Sequence, residues 1–214
     1  MSEIVAALLA ENDEDYKTQA QMLHQFAKRV HVDISDGKFT PTFTISEDKV
    51  WWPDDWTADI HAMVANPSEH MANLIKLKPH LVIFHAEVTE DLVPMMKQLQ
   101  QAGIKAGVAL QRQTVPADVG GPIQVADHVM IFSGDLGHYG GTASLMQLEK
   151  VRLVKAINQS AEIGWDGGVT VENAFTLSQG GVDVLNVGAT IAKSANAAET
   201  YAALVNEINK HGVI

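Results

Sequence analysis

The chain has 214 residues and a mass of 23.2 kDa, and its 46% hydrophobic and 19% charged residues exclude a disordered chain and support a sizeable core. A formal net charge of -11 and a pI near 5.1 argue against nucleic acid as a partner, because such proteins need a basic footprint to displace counterions from phosphates. The absence of cysteine rules out disulfides and thiolate metal sites, leaves histidine and carboxylate as candidate ligands, and suits a reducing cytoplasm.

Strand-like apolar runs recur along the chain. The first, Ile4 to Ala10, is too short for a membrane span, and with Glu3 before it and Glu11, Asp13, Glu14 and Asp15 after it, it lacks the basic start of a signal peptide. A helical period follows over Asp13 to Arg29, then strands over Val30 to Ile34 and Ala58 to Met63. The link Ser46 to Trp56 is short and rich in Trp and Pro, which predicts a loop or shortened helix, and Trp51, Trp52 and Trp56 are expected to pack into the core rather than form a subunit contact. Asn66-Pro67 marks a helix start for Pro67 to Leu77.

Next come a strand over Leu81 to His85, a helix over Glu90 to Ala102 closed by Gly103, and a strand over Lys105 to Leu110. Thr114 to Ala126, rich in Gly and Pro, predicts another loop or shortened helix. Strands at His128 to Phe132, Glu162 to Trp165 and Val184 to Val187 complete the series, with a helix over Ser144 to Ser160. About eight strand–helix units predict a parallel sheet closed into a (β/α)8 barrel, one domain over residues 1–214, in preference to an open doubly wound sheet. No run of about 18 apolar residues occurs, so no membrane span is expected.

Chemistry is concentrated at three strand ends. In His31-Val32-Asp33 the first and third side chains share one strand face, so one strand offers an imidazole and a carboxylate together. A lone pattern of this kind is equally compatible with Asp33 capping a turn. His61 lies in a second apolar run, where a packed core histidine is the alternative, and Asp166 precedes Gly167-Gly168, where an Asx-type turn is the alternative. In a barrel the four could meet on one metal ion at the mouth.

The segments HVDISDGKFTPTFT, DIHAMVANPSEHM, FHAE, KAGVAL, DHVMIFSG with its later GG, and WDGGVTVENAFTLSQGGVDVLNVGATI occur in one order from about residue 30 to 191. Together they resemble the ribulose-phosphate 3-epimerase family. The resemblance implies a ribulose-phosphate-binding TIM barrel with one divalent metal, zinc, iron or manganese. It further implies His31, Asp33, His61 and Asp166 as ligands, with Asp33 and Asp166 as the acid/base pair, and Met63 as part of an apolar cushion over the reacting carbons. Backbone N–H groups at Gly167-Gly168 and at Gly188-Ala189 suit the substrate phosphate, and Gly140-Gly141 resembles the family's mobile covering loop. His85 and Glu87 in FHAE are outside the implied ligand set and fit either support of the site or a structural role.

Some positions depart from the family. Ala7 stands where a substrate-touching serine is usual, Ser35 where a methionine is usual, and Ala189 where a serine is common. The segment SGDLGHYGGTA replaces a loop close to N-P-G-F-G-G-Q, so that His138 and Tyr139 offer new contacts or merely exposed loop residues. The expected function is therefore metal-dependent epimerisation at C3 of a ketose phosphate, D-ribulose 5-phosphate first, by two aspartates through an enediolate. The alternatives are an epimerase for another ketose phosphate and a non-catalytic sugar-phosphate-binding barrel. Related decarboxylases and aldolase-like enzymes carry D-x-K-x-x-D, whereas this chain reads His31-x-Asp33-x-x-Asp36 without the lysine, and Asp36 is expected to support the loop or ligand shell. The implied partner is a small sugar phosphate, with no nucleic acid or membrane; a homo-oligomer is compatible with the sequence, and the cytoplasm is the expected location.

Overall fold

The computed structural model describes residues 2–136, 138 and 140–210. Eight parallel strands close on themselves in chain order: β1 (Glu3–Leu8), β2 (Arg29–Ser35), β3 (Thr57–Met63), β4 (Leu81–His85), β5 (Lys105–Leu110), β6 (His128–Phe132), β7 (Glu162–Asp166) and β8 (Val184–Val187), with β8 pairing β1. Around them lie α1 (Asp13–Leu23), α2 (Pro67–Leu77), α3 (Leu92–Gln101), α4 (Gly120–Val125), α5 (Glu149–Ile157), α6 (Val171–Gln179), α7 (Ala189–Ala192) and α8 (Ala197–Ile208). This is the expected (β/α)8 TIM barrel. No helix of the described residues is long and apolar enough to cross a membrane.

Period-two alternation divides each strand between two environments. On β2, Val30, Val32 and Ile34 join the large outer core beneath the helices, while Arg29, His31, Asp33 and Ser35 occupy the alternate positions. A smaller apolar cluster of Leu81, Ile83, Ala109, Met130 and Phe132 fills the interior on the β4–β6 side. Polar side chains are buried at both ends of that interior.

The first helix ends at Leu23 rather than Arg29. His24 to Ala27 continue as turns bonded back to Ala20, Met22 and Leu23, after which Val30 pairs with Ala6 and Arg29 with Thr57. Strand pairing therefore takes residues that the helical pattern also allowed. Asn66 caps α2 by position but not by a side-chain bond; its amide reaches Glu69, and Glu90 accepts from the backbone N–H of Ser68 at 2.8 Å. Ser46 to Trp56 contains only turns, and Thr114 to Ala126 forms a 3-10 turn at Pro116–Val119 followed by the short α4, in line with the compositional reading. Trp56 is buried and Trp52 packs partly against the core, but Trp51 is 45% exposed and meets Tyr16 edge-on at 5.9 Å, so the core expectation fails for Trp51.

At the N-terminal end of the barrel, Arg29 lies at the centre of an ion network. Its Nε donates to Asp59 at 2.7 Å, and its terminal nitrogens reach Glu3 at 2.9 Å and Glu162 at 3.1 Å. His80 holds the other oxygen of Asp59, and His128 Nδ1 lies 2.8 Å from Glu162. Burial opposes ionisation of Glu162, yet His128 and Arg29 outweigh it and hold the carboxyl well below the usual range.

Arg29→Met is expected to destabilise the fold by about 3–5 kcal/mol in urea unfolding, because Asp59 stays buried without its main partner. The stability carried by Glu162 is present above its unfolded pKa of about 4.3 and is lost as pH falls through the depressed folded value. Glu162→Gln should accordingly flatten the acid limb of a stability–pH curve, and an unchanged limb would contradict this account.

Candidate active site

At the C-terminal end of the barrel, β2 presents His31 and Asp33 inward, and the register sets Asp33 of β2 beside His61 of β3. β7 extends one residue beyond its apolar run and places Asp166 toward them. One ligand atom from each of these four residues lies within 4.8 Å of the other three. His61 Nδ1 is 2.8 Å from Asp33 Oδ1 and 3.8 Å from Asp166 Oδ2, while His31 Nε2 is 3.4 Å and 3.6 Å from the same two carboxylates. The turn-cap, core-histidine and Asx alternatives each describe one residue; the four are gathered instead into one cluster.

The donor set fits a divalent cation. His31 Nε2 is buried without a hydrogen-bond partner and faces two carboxylates, an arrangement that a shared cation satisfies. Mixed imidazole and carboxylate donors suit zinc, iron and manganese alike.

The electrostatics divide the two aspartates. Burial disfavours charge on Asp33, but His31 and His61 beside it outweigh that cost and hold its pKa far below normal. Burial raises the pKa of Asp166, and the nearby Asp33 charge adds to the rise. Burial likewise disfavours a charged His31, yet Asp33 and Asp166 reverse the balance and raise its pKa. Behind the cluster, burial pushes His85 down to about 4 despite its bond to Glu87.

A cavity of about 270 Å³ opens above the cluster. Asp33, His61, Asp166 and Met63 line it from the strand ends, and Gly140, Gly141, Gly167, Gly168, Gly188 and Ala189 line it from the loops. His31 lies fully buried beneath these and is not part of the lining. Ala7, Asp135 and His138 also face the cavity, whereas Tyr139 lies outside the described residues. Ser35 turns away: its hydroxyl donates to the carbonyl of Thr42 at 2.7 Å. Asp36 ties the β2 loop to the β3 loop by accepting from the backbone N–H groups of Lys38, Phe39 and Ala65, the supporting role expected of it.

Gly167 and Gly168 have φ values of +101° and +71°, and their contacts add a second reason for glycine. A Cβ on Gly167 would lie 2.0 Å from the nitrogen of Gly134, and one on Gly168 2.1 Å from the nitrogen of Ala143. The loop after β6 thus rests directly on this pair. Arg112 pinches the base of that loop, donating from Nε to the carbonyl of Ser133 at 2.9 Å and from a terminal nitrogen to that of Thr142 at 3.4 Å. No local pattern marks Arg112 for this task. Asn186 was also missed as a lining residue, although a polar residue inside the run VLNV carries a signal: alternation sends it inward.

The model of the ribulose-phosphate 3-epimerase family matches residues 3–192. The chain belongs to that family. It is an enzyme of the isomerase class by that membership, as its sequence led us to expect. A ribulose-phosphate 3-epimerase of Helicobacter pylori is 31% identical over 173 residues, covering 77% of this chain and 79% of that one. The chloroplastic ribulose-5-phosphate-3-epimerase of Arabidopsis thaliana is 30% identical over 182 residues, which is 79% of this chain but 64% of the plant protein's length. Among solved structures, KGPDC from Streptococcus mutans superimposes with a TM-score of 0.72 at 13% identity over 97% of each chain, a likeness of fold alone.

Gly167→Ala combines left-handed backbone strain with a collision against the Gly134 backbone, and should cost roughly 1–3 kcal/mol or displace the loop. Denaturant unfolding together with proteolysis across residues 133–144 would detect either outcome. Wild-type behaviour in both would show that the contact is not binding on the loop.

Proposed function

We propose that this protein is a metal-dependent 3-epimerase of ketose phosphates, acting first on the pair D-ribulose 5-phosphate and D-xylulose 5-phosphate. The observation that carries the reading is the convergence of His31, Asp33, His61 and Asp166 beneath a cavity with glycine backbone on its loop side. Family membership supports the reaction class.

His31, Asp33, His61 and Asp166 would hold one divalent ion, zinc, iron or manganese. When bound, such an ion supplies Lewis-acid stabilisation of the charge on an enediolate. Asp33 and Asp166 carry the proton transfers: one carboxylate removes the C3 proton from one face, and the other returns a proton to the opposite face, inverting the centre. The two carboxylates exchange the roles of base and acid when the reaction runs backward.

A chain of net charge -11 must bind phosphate through local donors. Backbone N–H groups around Gly167-Gly168 and Gly188-Ala189 are suited to this, with Gly140-Gly141 approaching from the covering loop. Met63 adds apolar surface beside the reacting carbons. A different ketose phosphate is the second reading, and it rests on the cavity wall: Ala7 leaves out a hydroxyl, while Asp135 and His138 bring ionisable groups in from the loop.

Solvent deuterium should enter C3 of the substrate in metal-loaded protein, stop on chelation and return on metal addition. Asp33→Asn and Asp166→Asn should each lower the exchange at least about a hundredfold. Absence of exchange across a panel of ketose phosphates would overturn the proposal, whereas exchange with a panel member other than ribulose 5-phosphate would select the second reading.

A further inference from the structure

His61 is engaged on both sides of its ring. Its Nδ1 faces Asp33 at 2.8 Å, and its Nε2 lies 2.8 Å from Nε2 of His85. His85 Nδ1 in turn lies 3.2 Å from Glu87 Oε2. The other oxygen of Glu87 is already committed, accepting the backbone N–H of Gln111 at 2.9 Å and the hydroxyl of Thr114. Both imidazoles are fully buried, and the rings of Phe39 and Phe132 flank His85 at 4.9 and 5.5 Å. Rotation away from this row is blocked.

Hydrogens in the row can be assigned from its fixed end. An ionised carboxylate has none to give, so the bond to Glu87 needs a hydrogen on His85 Nδ1. A neutral His85 then offers a lone pair at Nε2, and the 2.8 Å contact between the rings needs its hydrogen on His61 Nε2. The lone pair of His61 is thereby left on Nδ1, the atom directed at Asp33 and Asp166. Two electron-rich atoms 2.8 Å apart, His61 Nδ1 and Asp33 Oδ1, call for a positive charge shared between them.

We propose that His85 and Glu87 are positioning residues, which hold His61 in the tautomer whose Nδ1 can accept a divalent cation. This inference rests on the metal-dependent reading above. It also gives the FHAE segment a task outside the ligand set: Glu87 orients His85, and His85 orients His61. Because Glu87 is anchored by Gln111 and Thr114, the loop after β5 determines where the row begins.

The anchoring makes one substitution especially informative. In Glu87→Gln, the amide oxygen should remain on Gln111 and Thr114, and the amide NH2 would then face His85 Nδ1. A donor there reverses every hydrogen in the row and places one on His61 Nδ1, where it blocks coordination. Zn2+ affinity, measured by competition with a chelator, should fall about 10- to 100-fold. Nitrogen NMR of the metal-free protein at alkaline pH should show His61 changing from the Nε2–H to the Nδ1–H form.

A second pair of variants tests the same row from His85. His85→Gln keeps an acceptor for His61 Nε2 and should bind Zn2+ within about threefold of wild type, whereas His85→Leu should lose at least about tenfold. An unchanged His61 tautomer and unchanged Zn2+ affinity in Glu87→Gln would overturn the inference, as would equal affinities of the two His85 variants. If the wild type itself binds neither Zn2+ nor Mn2+, the metal-dependent reading fails first; if it binds and only the variants are indifferent, the positioning role alone fails.

Discussion

Two imidazoles and two carboxylates share one space at the mouth of the barrel, and each is tolerable there only because the others are present. A lone buried carboxylate or imidazolium loses several kcal/mol of hydration, so burial by itself would force it neutral. Asp33 escapes that outcome through His31 and His61, while Asp166, with weaker compensation, is pushed toward its protonated form. The same mutual dependence that makes the cluster stable also differentiates two chemically identical side chains.

Closure of the barrel makes this possible. Three separate strands must stop at matching heights for β2, β3 and β7 to deliver their side chains to one volume, and the register of eight parallel ladders enforces it. The opposite end obeys the same electrostatic rule with a different solution, since Arg29 gathers Asp59, Glu3 and Glu162 there. Between the ends the interior is apolar or deliberately small: His128 lies across Gly164, where a Cβ would come within 2.3 Å of its ring nitrogen. Charge is thus confined to the two ends, one structural and one open to the cavity.

Much of this was legible in the chain itself. The limits of β4, β5, β6 and β8 coincide with their apolar runs, because a parallel strand covered on both faces must be apolar almost throughout. Arg29 was misread as helical, since local periodicity cannot register a pairing partner that lies in another segment. Trp51 was misread as core because aromatic content alone does not say which of three neighbouring rings has room inside. His31, Asp33, His61 and Asp166 could be named as metal-competent groups, but their mutual distances could not.

The sequence by itself determined the alternation of strands and helices, the inward parity of His31 and Asp33, and the glycine content of the cavity loops, all consequences of local backbone geometry and hydropathy. Tertiary structure alone decided that Gly167 and Gly168 yield their space to the β6 loop, that Arg112 clamps that loop, and that Glu87, His85 and His61 stand in one hydrogen-bonded row. The physical reason is that directional contacts depend on separations of a few ångströms between residues far apart in the chain. Only closure of the barrel sets those separations.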